Sequence, residues 1–190
     1  MTRSLTSLAI AALVVALIAP AVRADKKTPD EQKADIRHTA HQTLHQLYQS
    51  TPSAKAQVEK AAGYAVFSNF GMKILIAGSG TGKGVAVNNK SKAETFMKMA
   101  QVQAGLGMGI KKFRCVFIFD SENDLNDFIS KGWEGSGQTT AAAKTGGEGG
   151  AAQGGFAISE GVRMYQLTDK GLALEATVGA TKFYKDGDLN

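Results

Sequence analysis

The stretch that most constrains the fold is 61–87, AAGYAVFSNFGMKILIAGSGTGKGVAV. It contains three apolar, β-prone runs separated by short glycine-bearing segments, at residues 64–67, 73–77 and 83–87. Runs of this kind predict successive strands joined by tight turns, because glycine adopts turn conformations without steric strain. We therefore expect an antiparallel sheet to begin here, with Gly78, Gly80 and Gly82 in its second turn.

The same glycines do not form a nucleotide-binding loop. A phosphate-binding loop requires G-x-x-x-x-G-K-[ST], but Ala77 stands at the first position and Gly84 stands where a metal-binding hydroxyl is needed. A G-x-G-x-x-G match that begins at Gly78 fails at its last position, which is Lys83. We therefore predict a glycine-rich β-turn and expect no cofactor.

Residues 28–62, before this stretch, predict two helices. Thr28-Pro29-Asp30-Glu31 combines a capping box with proline at the first helical position. Thr51-Pro52 should end the first helix, and Thr51 should cap a second helix that reaches residue 61 or 62. The inward face of the first helix is predicted from apolar residues at helical spacing, Ile36, Ala40, Leu44 and Leu47.

The chain beyond the glycine-rich stretch predicts more strands and one helix. The run 94–103 also fits a helix, but the alternation of Met97 and Met99 favours a strand. Ser121 should cap a helix over 122–131. Residues 132–155 hold 9 of the 22 glycines and predict a long glycine-alanine loop. The other strands are expected at 111–120, 156–158, 162–167, 172–178 and 181–184.

The order of these motifs resembles the SYLF domain, also called the Ysc84-related family. The resemblance starts in KAAGYAVFSNFGMKILIAGSGTGKGVAV, with a helix ending in K-A-x-G, a strand V-F and a hairpin ending in G-x-G-V. It continues through QAGLGMG at 103–109, the strand 115–119 with its helix to residue 128, and the alanine-rich 139–144. It covers residues 34–184, and the order of the motifs makes the match more specific than any one of them.

The resemblance and the apolar runs together predict one α+β domain. We expect the helical segment 25–62 to pack as one unit with the β-rich segment 63–190, whose sheet should be curved, mostly antiparallel, partly barrel-like and six or more strands wide. The resemblance also implies lipid binding, since SYLF domains are membrane-recognition modules that bind phosphoinositides and other anionic phospholipids. Yeast relatives regulate actin, which an exported chain would not meet.

Residues 1–24 predict a cleaved secretory signal peptide. Arg3 supplies a positive start, residues 5–19 an apolar core, and Val22-Arg23-Ala24 a small-residue cleavage site. The apolar run is shorter than the roughly 20 residues that span a bilayer. We therefore expect a periplasmic or secreted protein that can associate peripherally with a membrane. Loss of Arg3 and Arg23 lowers the formal net charge from +5 to +3, which gives nucleic-acid binding little support.

The candidate lipid-binding residues are basic and aromatic side chains at the expected strand ends. They are Lys73, Lys83, Lys111, Lys112, Phe70 and Trp133. Each lysine near an anionic surface contributes about 1 kcal/mol, so four alone would give roughly millimolar affinity. Useful binding would also need inserted apolar groups, for which Phe70 and Trp133 are the candidates. The alternative to a lipid-binding site remains open: the lysines are then scattered over the surface and the tryptophan lies in the core.

The three histidines of the chain, His38, His41 and His45, lie on one face of the first predicted helix at i, i+3 and i+7. Two of them could share a metal ion, and exposed histidines on a polar helix face are the simpler interpretation. The single cysteine, Cys115, lies in an apolar strand and should be a buried small hydrophobe.

The sequence shows no catalytic signature, so we expect a non-enzyme. It lacks the G-x-S-x-G and H-E-x-x-H motifs. Four acidic residues cluster at the start of the helix over 122–131, where they complement the helix dipole and could bind calcium weakly. They are Asp120, Glu122, Asp124 and Asp127. The alternative to lipid binding is a periplasmic interaction or structural module that reuses the fold.

Overall fold

The computed structural model describes residues 27–69, 79–102, 114–135, 155–168, 171–172 and 180–190. Several expectations lie outside these ranges: the signal peptide, the strand at 73–77 and most of the strand at 172–178. Four candidate lipid-binding residues also lie outside them, namely Phe70, Lys73, Lys111 and Lys112.

The described residues form three helices and nine strands. The helices are α1 (Pro29–Ser50), α2 (Pro52–Lys60) and α3 (Glu122–Lys131). The strands are β1 (Gly63–Ser68), β2 (Ser79–Asn88), β3 (Glu94–Val102), β4 (Arg114–Phe119), β5 (Trp133–Gly135), β6 (Phe156–Ser159), β7 (Val162–Thr168), β8 (Gly171–Leu172) and β9 (Ala180–Lys185). The described part of the run 94–103, Glu94–Val102, is therefore a strand, as its alternation predicted.

The helix ends follow local capping chemistry, with one exception. The predicted capping box at Thr28 is confirmed, because the Thr28 side chain accepts from the Glu31 amide and the Glu31 carboxylate accepts from the Thr28 amide. Thr51 does occupy the N-cap position of α2, but the prediction that its side chain caps the helix is wrong. Its hydroxyl is buried and has no hydrogen-bond partner among the described residues, because its backbone φ and ψ of −144° and 85° differ from those of the Thr28 cap.

All the described strands belong to one antiparallel sheet, in the order β5-β9-β3-β2-β1-β4-β7-β6, with β8 paired to β7. The first hairpin pairs β1 with β2, and β4 lies on the other side of β1. The predicted α+β class with a mostly antiparallel sheet is therefore confirmed.

The sheet is strongly curved, as aromatic contacts across it show. Phe67 on β1 and Phe183 on β9 lie three strand spacings apart, which is roughly 14 Å in a flat sheet, yet their ring centroids are 4.7 Å apart. Trp133 on β5 and Phe117 on β4 are five spacings apart, and their rings are 5.7 Å apart. The sheet therefore curls into a half-barrel with these aromatic rings inside.

Glycines in β2 make this curvature sterically feasible. We expected Gly80 and Gly82 in a turn, and that prediction is wrong: both lie in β2, opposite Gln101 and Met99 of β3. A Cβ atom on Gly84 would lie 2.3 Å from the carbonyl oxygen of Val66 and 2.4 Å from the ring of Phe67. Glycine in a strand interior often marks such a close approach. Here it leaves room for the Phe67 ring inside the curled sheet.

The two faces of the sheet carry separate cores. The concave face holds the aromatic cluster, onto which Leu125 and Phe128 of α3 pack. The convex face is covered by α1 and α2, whose buried residues contact Val66, Val116 and other alternate positions of the strands. The buried face predicted for α1 is confirmed. No helix of the described ranges is long and apolar enough to span a membrane.

Candidate functional site

A cleft of about 200 Å³ lies where the two ends of the sheet face each other. One wall comes from Gly132 and Trp133 at β5, and the other from Ser159 of β6 and Val162 of β7. Because β5 and β6 are the two terminal strands in the sheet order, this cleft is the open seam of the half-barrel. We call it the seam cleft.

Helix α3 supplies the polar rim of the seam cleft. Its residues at i, i+3, i+4 and i+7 share one face, and all four line the cleft: Asp124, Asp127, Phe128 and Lys131. The helix begins at the predicted cap, since Ser121 Oγ accepts from the Asp124 amide at 3.2 Å. The same hydroxyl donates to Asp124 Oδ2 at 2.6 Å, which orients this carboxylate at the rim.

Gly132 directs the chain from α3 into β5 and so places the tryptophan. Its φ of 73° is left-handed, and a Cβ atom there would lie 2.6 Å from the carbonyl oxygen of Phe183. The following Trp133 is partly buried. Its ring is 5.7 Å from both Phe117 and Phe183, so it forms a wall of the cleft against the aromatic core.

The floor of the seam cleft is aromatic. The rings of Phe117 and Phe128 are 5.2 Å apart, and those of Phe119 and Phe128 are 5.0 Å apart. These three rings are nearly inaccessible to solvent and are held by their neighbours, so the floor is preformed.

The charges at the rim do not balance. Lys131 Nζ lies 2.8 Å from Asp127 Oδ2, with both side chains mostly exposed, and an exposed pair of this kind contributes only about 0–1 kcal/mol. Asp124 forms no ion pair with any described residue. Two carboxylates and one ammonium give the described lining of the cleft a net negative charge.

Lys83, a predicted lipid ligand, is not in the lining of this cleft and lies in a polar cluster under α1. Its ammonium donates to Gln32 Oε1 at 2.5 Å and lies 3.9 Å from Asp186 Oδ2. Asp186 is fully buried and also pairs with Lys98 at 2.7 Å. The Lys83 ammonium therefore has internal partners, and the structure does not bring it together with Trp133.

Asp186 and the residues after it fasten the C-terminal segment to β3. The Asp186 amide donates to the carbonyl of Phe96, and the Asn190 side chain bonds to both the amide and the carbonyl of Phe96. Leu189 is buried in the core on the convex face. The cluster around Lys83 is therefore part of the architecture of this segment.

We expect the protein to lose stability at alkaline pH. Hydrogen bonds to Asp186 and Asp188 raise the pKa of Lys98, and burial raises the pKa of Tyr64 and raises that of Tyr48 to about 12. The folded state keeps these protons to higher pH than the unfolded state, so folding stability is full below about pH 10 and is lost as pH rises towards about 12. Urea unfolding between about pH 8 and about pH 12 measures this.

The variant Tyr48→Phe provides the control for this prediction. It removes one group whose pKa is raised by burial, so its stability should fall less steeply with pH than that of the parent. A parent curve that is flat or rises over this range would contradict the assignment.

The three histidines lie exposed on α1. The ring of His38 is 2.9 Å from the Gln42 amide nitrogen. The described ranges contain no group of three or more His, Cys, Asp or Glu side chains that could hold a metal ion, so this helix face offers at most a histidine pair.

Cys115 is fully buried, as expected, on the concave face of β4. Burial raises the pKa of its thiol, which keeps it in the protonated form that is a poor nucleophile.

Sequence reasoning selected Trp133 but missed the rest of the seam cleft. The pattern of acidic residues at the start of α3 predicts partners of the helix dipole and a weak calcium site, and it does not predict a cleft. The available signal was the helical spacing of Asp124, Asp127, Phe128 and Lys131, which places all four on one face of α3. What it could not show was that β5 and β7 meet this face.

Fold and cleft together define an α+β half-barrel protein with a small aromatic cleft at its open seam. No family model matches the chain. The chain is 34% identical over 164 residues to a protein named Beta cell expansion factor A, from Aeromonas veronii. That alignment covers 86% of this chain and 60% of the relative, so the chain spans less than two thirds of the relative's length.

Proposed function

We propose that this protein is an exported, non-catalytic lipid-binding module that acts at a membrane surface and recognises anionic phospholipid or phosphoinositide head groups. The observation that carries the proposal is Trp133, which the sequence selected as a lipid contact and which forms a wall of the open cleft in the half-barrel. The resemblance to SYLF domains supports the same function.

The apolar part of lipid binding is supported by the position of Trp133. Its ring is only partly buried, and tryptophan is favoured where one end of a side chain is apolar and the other is wet. Burial of one such side chain in a membrane contributes about 1.5–3 kcal/mol, which is comparable to two or three lysines at an anionic surface.

The anionic part of the proposal rests on Lys111 and Lys112, together with Lys73. Lys83 contributes less, because its ammonium contacts Gln32 and approaches the buried Asp186. A Lys83→Glu variant would place a second carboxylate beside Asp186 and lower stability, so it would not isolate lipid binding. The adjacent pair at 111–112 is the better target for charge reversal.

Vesicle flotation tests this proposal. We expect the chain from residue 25 to float with phosphatidylcholine vesicles increasingly as anionic lipid is added. Salt should weaken this association, because exposed charges are screened beyond about 8 Å at physiological ionic strength, and an apolar residual should remain. The double variant Lys111→Glu and Lys112→Glu should weaken the salt-sensitive part.

The matched control is Lys55→Glu with Lys60→Glu on α2. These two lysines are exposed and are not among the candidate lipid contacts, so the same change in charge there should affect flotation less. Absence of flotation at every anionic content would contradict lipid binding. The alternative, a periplasmic protein-interaction or structural module, would then be preferred.

A further inference from the structure

We infer that the seam cleft binds a quaternary ammonium group of the choline type. The size, aromatic lining and charge of the cleft carry this inference, which goes beyond the proposed recognition of anionic head groups. It does not depend on that proposal, because the cleft and the candidate lysines carry opposite charge.

The aromatic lining supplies the first half of the chemistry. A quaternary ammonium has no hydrogen to donate, so it is held by the negative faces of aromatic rings and by apolar contact. Trp133, the best ring for such contact, forms one wall, and Phe128 and Val162 belong to the same lining.

The carboxylates at the rim supply the second part of the binding chemistry, which is negative charge. The Asp124 carboxylate is oriented by Ser121 Oγ at 2.6 Å and has no ion-pair partner in the described ranges. A carboxylate accepts about four hydrogen bonds or equivalent contacts, so one hydroxyl leaves most of its capacity available. Lys131 pairs with Asp127, so the negative charge of Asp124 remains uncompensated. A bound cation would balance it.

The size and donor set of the cleft disfavour other ligands. A volume of about 200 Å³ holds about seven water-sized groups, which is enough for a nitrogen with its methyl groups and little more. The carboxylates Asp124 and Asp127 disfavour a phosphate or another anion. A metal ion lacks a third ligand, since no group of three suitable side chains occurs among the described residues.

Intrinsic fluorescence tests the inference directly, because the chain has one tryptophan and it is Trp133. The protein is titrated with choline chloride against sodium chloride at equal ionic strength. We expect a saturable change in Trp133 emission. The neutral isostere 3,3-dimethyl-1-butanol, which has the same shape without the charge, should bind at least ten-fold more weakly.

Charge variants at the rim separate the cleft from general ionic effects. Asp124→Asn should weaken choline binding at least five-fold. Glu122→Gln, the same change in charge in the same helical turn but outside the cleft lining, should leave it unchanged. Lys131→Met removes the only ammonium of the described cleft lining, so it should strengthen choline binding at least two-fold, and it provides a second readout if Asp124→Asn does not fold.

Three outcomes would overturn the inference: no saturable response to choline, equal affinity for the neutral isostere, or equal effects of Asp124→Asn and Glu122→Gln.

Vesicles of pure phosphatidylcholine form a second arm of the experiment. A response to both choline and vesicles assigns the site to a lipid head group, whereas a response to choline alone assigns it to a free small molecule. Flotation that depends only on anionic lipid tests the proposed function separately.

Discussion

Gly84→Ala is expected to lower the free energy of unfolding by about 3 kcal/mol or more, at the upper end of the range for overpacked positions. The added Cβ atom would lie 2.3 Å from the Val66 carbonyl oxygen and 2.4 Å from the Phe67 ring. The first neighbour is backbone in the adjacent strand β1, so a change of rotamer cannot relieve the contact. Either β1 and β2 separate locally or the Phe67 ring leaves the core.

Urea unfolding followed by far-UV circular dichroism measures this loss, and Gly187→Ala is the matched control. A Cβ atom on Gly187 meets no atom of the described residues within 4 Å, and the φ of Gly187 is not left-handed. Alanine there should change stability by less than about 1 kcal/mol, in either direction. Similar small effects of both variants would show that the sheet at β2 accommodates a side chain, contrary to the tight curvature described here.

The helices could be predicted from the sequence because their signals are local. The capping box at Thr28, the stop at Thr51-Pro52 and the cap at Ser121 each lie within a few residues of the helix end that they define. The side-chain cap of Thr51 failed for a local reason as well, since a capping residue must also have the right backbone conformation.

Gly80 and Gly82 could not be assigned to β2 because their conformation is set by a neighbouring strand, whereas Gly84 was expected in a strand and lies in one. A glycine series in sequence fits a turn and a crowded strand equally well. Only the pairing of Gly84 with Phe67, and the contact of that ring with Phe183 across the sheet, shows that a side chain at Gly84 would block the curled core.

The candidate site was predictable only in part, because some of the residues that contact each other there are far apart in the sequence. Trp133 could be selected as a candidate lipid contact because it directly follows α3, but its packing against Phe117 and Phe183 depends on strands distant in the sequence. The partner of Lys83 is Asp186, which lies near the other end of the chain. A lysine in a strand therefore looked like a surface ligand until the pairing of β3 with β9 brought that carboxylate under it.

Phe183→Ala is expected to lower the free energy of unfolding by about 3–5 kcal/mol, the range for truncation of a buried aromatic side chain. Phe183 is fully buried, and its ring centroid lies 4.7 Å from that of Phe67 and 5.1 Å from that of Phe117. These contacts join β9 to the distant strands β1 and β4. The variant would therefore lose the aromatic contacts that hold the curled sheet closed, in addition to buried apolar area.

Two readouts make this prediction specific to the interior of the half-barrel. Because Trp133 packs 5.7 Å from Phe183, native Trp133 emission should shift to longer wavelength in Phe183→Ala as water gains access to the ring. Tyr184→Ala is the control one position away: its side chain points to the other face and is 37% exposed, so its effect should stay within about 0.5 kcal/mol. Equal losses in both variants would place the stabilising contacts of β9 outside the aromatic core.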